Sequence, residues 1–387
     1  MDIDGLKKSF TEKYGQGDIA GYFSPGRVNL IGEHTDYNGG FVFPCALTFG
    51  TYLLIRKTKN NFFRFASLNL PQTEEIPLDN LTTPLSKGNW VNYPLGTVAQ
   101  FIKKGLSVST GADILISGNV PGGAGLSSSA ALEVVTAVAI NDQFGFNLDR
   151  VELVKMSQKA EHEFAGVNCG IMDQFASGMG EKDHAIFLNC DTLEYELVPV
   201  KLQGVKVVIG NTNSPHSLDS GKYNERVSQC QAAVEAIKPY KNISNLAEIT
   251  VEEFLELEDK ISDDTVKRRA RHVVTEIKRT TDAVAKLKAG NIDAFGQLMN
   301  GSHDSLRDDY EVTGNELDSM VEEARKISGV IGSRMTGGGF GGSTVSLVKD
   351  ESVDRFIETV GKNYEKRTGL KPEFYVAEIG QGGHRVF

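Results

Sequence analysis

Val120-Pro121-Gly122-Gly123-Ala124-Gly125-Leu126-Ser127-Ser128-Ser129-Ala130-Ala131-Leu132 follows an apolar run at 112–117 and leads into an Ala-rich, apolar segment. A strand that passes to a helix through three glycines brings exposed backbone N–H groups and the positive end of a helix dipole to one spot. Such a spot favours an anion such as a phosphate. The hydroxyls of Ser127, Ser128 and Ser129 add donors and a candidate Mg2+ ligand. Ser is also a preferred N-cap, so the same residues read as an ordinary helix start. The stretch is not a P-loop: G-x-x-x-x-G-K-[ST] occurs nowhere, and Gly221-Lys222 is followed by Tyr223.

Outward from this segment, apolar or alternating runs at 20–31, 49–58, 184–189, 205–210, 343–348 and 373–378 predict strands. Three helices show in the spacing. Residues 150–164 start after Asp149, with Glu152 three places on, and align Leu153, Ser157, Ala160 and Phe164. Residues 222–237 align Tyr223, Val227, Cys230, Val234 and Ile237, and 264–289 align Val266, Ala270, Val273, Ile277, Val284 and Leu287 before a Gly290 stop. Strands and helices mixed without a strict βαβ repeat predict an α+β fold. The length of 387 residues suits two domains, and the turn-rich stretch 190–204 is the expected boundary, dividing the chain into 1–195 and 196–387.

Composition narrows the function. Lys and Arg total 41 against 51 Asp and Glu, a formal charge of −10, which disfavours nucleic acid and anionic membrane as partners and favours a small-molecule role. The run Lys267-Arg268-Arg269-Ala270-Arg271 then reads as the solvated face of a helix. Cys45, Cys169, Cys190 and Cys230 form no C-x-x-C pair and read as reduced, mostly buried thiols. With no signal-peptide pattern at the N-terminus and no apolar run long enough to span a bilayer, the expectation is a cytoplasmic protein. The 41 glycines exceed the roughly 27 of average usage, and they cluster.

Three of those clusters carry chemistry. Pro25-Gly26-Arg27-Val28-Asn29-Leu30-Ile31-Gly32-Glu33-His34-Thr35-Asp36-Tyr37-Asn38-Gly39-Gly40 gathers Glu33, His34 and Asp36 at a Gly-flanked strand end, as a polyol site would, although an exposed polar turn has the same composition. Arg27 is a fixed cation suited to a carboxylate or a phosphoryl group. Cys169-Gly170-Ile171-Met172-Asp173-Gln174 sets Asp173 among apolar neighbours. On the helix before it, Glu161 lies roughly 40° from Ser157 and roughly 60° from Phe164, at the border of the apolar face. A carboxylate there wants a cation, either Mg2+ shared with Ser129 or a Lys or Arg partner. Met335-Thr336-Gly337-Gly338-Gly339-Phe340-Gly341-Gly342-Ser343 has five glycines in six residues, from 337 to 342, and reads as a loop lying against a ligand or as a hairpin turn. Its G-x-G-x-x-G opens a strand-like run rather than the helix a dinucleotide site needs.

Together the segments Gly26–Asn38, Pro121–Ala131 and Met335–Gly342, with Cys169–Gln174 and Tyr223-Asn224-x-Arg226, resemble the galactokinases of the GHMP small-molecule kinase superfamily. The resemblance implies an N-terminal domain like ribosomal protein S5 domain 2, a ferredoxin-like C-terminal domain and a site between them. By family pattern Glu33, His34, Thr35, Asp36, Gly170, Asp173 and Tyr223 would hold galactose. Gly123, Ala124, Gly125, Leu126, Ser127, Ser128 and Ser129 would wrap the phosphates of ATP, and Ser67 would touch the nucleotide. Ser129 and Glu161 would bind Mg2+, Asp173 would serve as base and Arg27 would stabilise the transition state. The activity implied is transfer of phosphate from ATP to the anomeric hydroxyl of galactose; alternatives are a kinase for N-acetylgalactosamine or arabinose, and a non-catalytic sensor of galactose and ATP. This sequence has Gly39 where the family usually has Asp, Ala131 where Ser is common and Ser343 where Cys is common.

Overall fold

Apolar continuity in the first half of the chain becomes a sheet buried on both faces. In the computed structural model, which describes residues 2–200, 202–214 and 220–387, this half runs α1 (Ile3–Tyr14), β1 (Ala20–Asn29), β2 (Phe41–Val42), β3 (Pro44–Thr58), β4 (Phe62–Ser67), β5 (Glu74–Pro77), α2 (Asn92–Lys103), β6 (Gly111–Gly118), α3 (Ser128–Gln143), α4 (Arg150–Ala160), α5 (Met172–Met179), β7 (His184–Asn189) and β8 (Tyr195–Pro199). Every residue of β1 is buried, which explains a strand with no polar alternation. The second half runs β9 (Val205–Asn211), α6 (Ser220–Ile237), α7 (Val251–Leu257), α8 (Asp264–Lys288), α9 (Ile292–Ser305), α10 (Gly314–Arg325), β10 (Val330–Thr336), β11 (Ser343–Lys349), α11 (Val353–Thr368), β12 (Glu373–Ala377) and β13 (His384–Arg385).

Three sheets result, in the orders β13-β1-β3-β6-β4-β5, β10-β11-β9-β12 and β2-β7-β8. All neighbours are antiparallel except β4 and β6. The α+β expectation holds. The predicted strand at 49–58 begins earlier, at Pro44, and the short or polar strands β2, β4, β5, β8, β10 and β13 have no counterpart among the predicted runs. The predicted helix at 150–164 is α-helical to Ala160 and closes in a π turn, Glu161–Ala165, ended by Gly166 at φ 74°. Asp149 caps it by accepting from the Glu152 N–H at 2.9 Å.

The stretch 190–204 is only partly turn: Tyr195–Pro199 pair with β7, and residue 201 lies outside the described residues. A division between 195 and 196 is crossed elsewhere too. Residues 384–385 pair with Phe23 and Tyr22 of β1, and one apolar core joins Val28, Leu30 and Phe43 to Ile209, Phe295 and Val345. The basic run on α8 differs from its expectation. Arg269 is not solvated; its side chain is 3% exposed, donates to the Asp309 carbonyl at 2.6 Å and pairs with Glu311.

Candidate active site

β6 delivers the glycine loop to the start of α3, and three observations there bear on phosphate binding. Gly123 and Gly125 take φ of 70° and 67°, a left-handed conformation that favours glycine. Ser127, at the N-cap position with φ 60°, makes no side-chain cap hydrogen bond. Its hydroxyl instead donates to Asp173 Oδ2 at 2.5 Å, so Ser127 is not an ordinary helix cap. Gly122, Gly123 and Ser128 are exposed, Ser129 is half-buried, and the side chains of Ala124 and Leu126 are buried in the core shared by the two halves. Ala124 and Leu126 thus anchor the loop, and only their backbone is offered to a ligand. Ser343 adds a tie, its hydroxyl donating to the Ala124 carbonyl at 2.7 Å.

Arg27, near the end of β1, lies under this loop. Its amide donates to the Leu126 carbonyl at 3.1 Å and its Nη1 to the Gly125 carbonyl at 2.8 Å. Its other two side-chain nitrogens form a two-pronged pair with Asp173 at the start of α5, Nε donating to Oδ1 and Nη2 to Oδ2, both at 2.8 Å. The Arg27 side chain is 5% exposed and that of Asp173 28%, so the carboxylate is the member of the pair that solvent or a ligand reaches. Oδ2 is filled by Arg27 and Ser127, and Oδ1 is the oxygen of Asp173 that retains lone-pair capacity.

The signature loop, residues 32–40, follows β1. Glu33 is buried, with Oε2 accepting from Asn29 Nδ2 at 2.7 Å and Oε1 from Gly337 N at 2.8 Å and Arg334 Nη1 at 3.3 Å. His34, at φ 62°, has Nε2 3.2 Å from the Gly338 carbonyl and Nδ1 2.8 Å from the Tyr37 hydroxyl. A carbonyl can only accept, so Nε2 carries the proton and Nδ1 accepts from Tyr37, whose oxygen lies 2.7 Å from that of Tyr310. Burial holds the imidazole down at about 3, so His34 is neutral. Thr35 is buried, with its hydroxyl 2.9 and 2.8 Å from the carbonyls of Gly32 and Phe41. Asp36 lies beside Gly170, whose added Cβ would fall 1.8 Å from Asp36 Oδ2, so the approach requires glycine. Burial, reinforced by the charge of Asp173, pushes the Asp36 carboxyl up to about 7. A cavity of about 390 Å³ opens beside Asp36, Gly170 and Lys155. Tyr223, on the first turn of α6, packs its ring 5.7 Å from that of His34 and 5.5 Å from that of Tyr37. Gly39, at φ 73°, faces the amide of Asn245, whose nitrogen would lie 2.7 Å from an added Cβ.

Glu161 is buried at the π turn and accepts from Gln174 Nε2 at 2.6 Å. No Lys or Arg pairs with it among the described residues. Burial, then the nearby Asp173, raises its carboxyl to about 7, against the hydroxyl of Ser129 and two other donors. Gln174 also donates to Glu133, whose Oε1 is buried without a partner. Among the described residues no group of three His, Cys, Asp or Glu is arranged for a metal. The donor set, a carboxylate and a hydroxyl beside the glycine loop, nonetheless suits Mg2+, which takes one or two carboxylates and completes its shell with phosphate oxygens and water.

Ser67 stands apart. It ends β4 beside β6, accepting from the Asn69 N–H at 3.0 Å, while Asn69 is bonded to Gly118 at the root of the glycine loop. The structure thus gathers Arg27, Asp173, Ser127, Asp36 and Gly170, and packs His34 with Tyr223. Sequence reading missed Tyr37, which lies in the signature loop and bonds His34 and Tyr310, and Tyr310, Arg334, His272 and Glu276, which support that loop from the second half of the chain.

The model of the galactokinase galactose-binding signature matches residues 8–57, that of the GHMP kinase N-terminal domain residues 92–181 and that of the GHMP kinase C-terminal domain residues 283–366. A galactokinase of Fusobacterium nucleatum is 52% identical over 389 residues, covering 99% of this chain and 100% of that protein. One of Bacillus subtilis is 48% identical, covering 98% of each. Among solved structures, Lactococcus lactis galactokinase complexed with galactose superimposes with a TM-score of 0.97 at 44% identity over 99% of both chains. A mevalonate kinase, at 0.66 and 20% identity over 94% of this chain and 100% of that one, shares the fold.

Proposed function

The chain belongs to the galactokinase family of the GHMP kinases and is a kinase, and on that premise we propose that it transfers the γ-phosphoryl group of ATP to the anomeric O1 of D-galactose, giving galactose 1-phosphate and ADP. The observation that carries this is the Arg27–Asp173 pair, set where the glycine loop meets the sugar-signature side. Phosphoryl transfer passes through a loose transition state, so placement and neutralised charge matter more than a strong base. Asp173 is aimed by three donors and accepts the O1 proton as the bond to phosphorus forms. Arg27 is fixed by the same contacts and meets the charge that develops on the moving phosphoryl group. The exposed loop amides and the N-terminus of α3 hold the phosphates. Ser129 and Glu161 would hold Mg2+, which when bound shields phosphate charge.

On the sugar side, Asp36, Gly170 and Tyr223 line the approach to Asp173. Glu33 would offer the sugar the lone pair that its protein bonds leave on Oε2, whereas His34, whose two ring nitrogens are engaged by Gly338 and Tyr37, would meet the sugar with its ring. ATP as co-substrate and four unpaired thiols suit a cytoplasmic setting, and no described helix is long and apolar enough to cross a membrane. The decisive experiment is ADP release with galactose, N-acetylgalactosamine, glucose and arabinose, each with and without Mg2+. Mg2+-dependent ADP release with galactose foremost is expected. Release with another sugar alone, or binding of galactose and ATP without any ADP, would overturn the assignment.

A further inference from the structure

The loop that carries Glu33 and His34 is fixed by groups four residues apart on α8. The Gly32 N–H donates to Glu276 Oε1 at 3.0 Å, and the Glu33 carbonyl lies 3.1 Å from His272 Nε2. The facing group is a carbonyl, so His272 Nε2 is the protonated nitrogen, and Nδ1 lies 2.9 Å from Ser305 Oγ and is the nearer of that hydroxyl's two acceptors, Asp309 Oδ2 being at 3.3 Å. Burial holds His272 down at about 4, which keeps it in the neutral form this arrangement needs. Glu276 is wholly buried and also accepts from Ser302 and Arg279. Gly32 itself sits at φ 97°, with the position of an added Cβ 2.7 Å from the Phe41 carbonyl, so this turn admits only glycine. Residues 272 and 276 of a helix share one face, so a donor and an acceptor on α8 address two successive residues of the loop.

We infer that His272 and Glu276 are positioning residues for sugar binding: α8 acts as a template for the Gly32–Glu33 backbone and so sets where Glu33, His34 and Asp36 stand. The inference rests on the galactokinase assignment for the identity of the ligand. It also separates the two substrates. Among the described residues no hydrogen bond joins the glycine loop, Arg27 or Ser129 to His272 or Glu276, so a fault on α8 is felt first by the sugar rather than by the nucleotide.

Two variants test this, Glu276→Ala and His272→Phe, with binding of galactose and of a non-hydrolysable ATP analogue measured separately by calorimetry, alongside KM, kcat and thermal melting. Loss of a buried acceptor or donor should weaken galactose about tenfold in each variant and raise its KM in step, with affinity for the ATP analogue within about twofold of the parent. His272→Gln keeps an N–H for the Glu33 carbonyl and should restore most of the loss. Galactose affinity unchanged in a folded variant, or sugar and nucleotide affinities falling together, would overturn the role. Should Glu276→Ala fail to fold, the contrast between His272→Phe and His272→Gln decides. The parent protein's sugar panel judges the substrate assignment separately, and whichever sugar it accepts serves as ligand for the variants.

Discussion

Asp173 and Arg27 are each other's main partner, and that shapes what their replacement does. Asp173→Asn preserves size and part of the hydrogen bonding to Arg27 Nε and Nη2, but removes the charge and the proton acceptor. Turnover should fall by about a thousandfold while the melting temperature moves by only a few degrees; near-normal kcat in a folded Asp173→Asn protein would remove it from the chemistry. Asp36 gives a prediction of a different kind. Its carboxyl is held at about 7, above the ordinary carboxylate value, by burial and then by Asp173. A folded state that binds its proton more tightly than the unfolded chain loses stability as pH rises from about 4 to about 7, and the loss persists above that range. Asp36→Asn removes this penalty. The variant should melt a few degrees above the parent at pH 8, with the difference vanishing by pH 4, as scanning calorimetry across that range would show.

At the scale of elements, the loop 167–171 matters because it brings Gly170 against Asp36. Gly170→Ala would push a methyl group into the Asp36 carboxylate, 1.8 Å away. The loop or the carboxylate must then shift, so KM for galactose should rise more than tenfold with KM for ATP little changed; steady-state kinetics with each substrate varied would check it. Glycine clusters made such loops legible in the sequence, since a left-handed or crowded backbone position leaves a composition signal. The apolar spacing of α4, α6 and α8 was legible too, whereas α9 and α11, of 14 and 16 residues, had no counterpart among the expected helices. Elements such as β10 were invisible because Val330–Thr336 carries Gly, Ser and Arg within a buried strand, with Arg334 fully buried against Glu33. His272 and Glu276 were hidden for a related reason. They lie just beyond a basic run whose Arg269 folds inward against Glu311, so local charge gave no warning of burial that only the tertiary partners make affordable.

At the scale of the whole molecule, the proposed function asks an acidic chain to bind a nucleotide, and the field that would do so is local, from Arg27 and the start of α3 rather than from net charge. The same locality couples the halves of the chain. Glu33 finds Gly337 and Arg334 only in the second half, Asn29 shares Thr336, and the core around Val28, Leu30 and Phe43 is completed by Ile209, Phe295 and Val345. The last residues close the circuit, with Arg385 and His384 opposite Tyr22 and Phe23 and the ring of Phe387 seated on Gly21. A segment cut at 195 would therefore expose that apolar face, lose an edge partner of β1 and strand the Glu33 carboxylate without two of its three donors. Each of these defects alone costs a few kcal/mol, comparable with the whole stability of an ordinary domain when summed. The segment 1–195 expressed alone should accordingly show no cooperative thermal transition and little near-ultraviolet circular dichroism, in contrast to the full chain. A sharp, reversible melt of 1–195 would mean that its core is complete without the second half, and that the shared contacts serve the site rather than the fold.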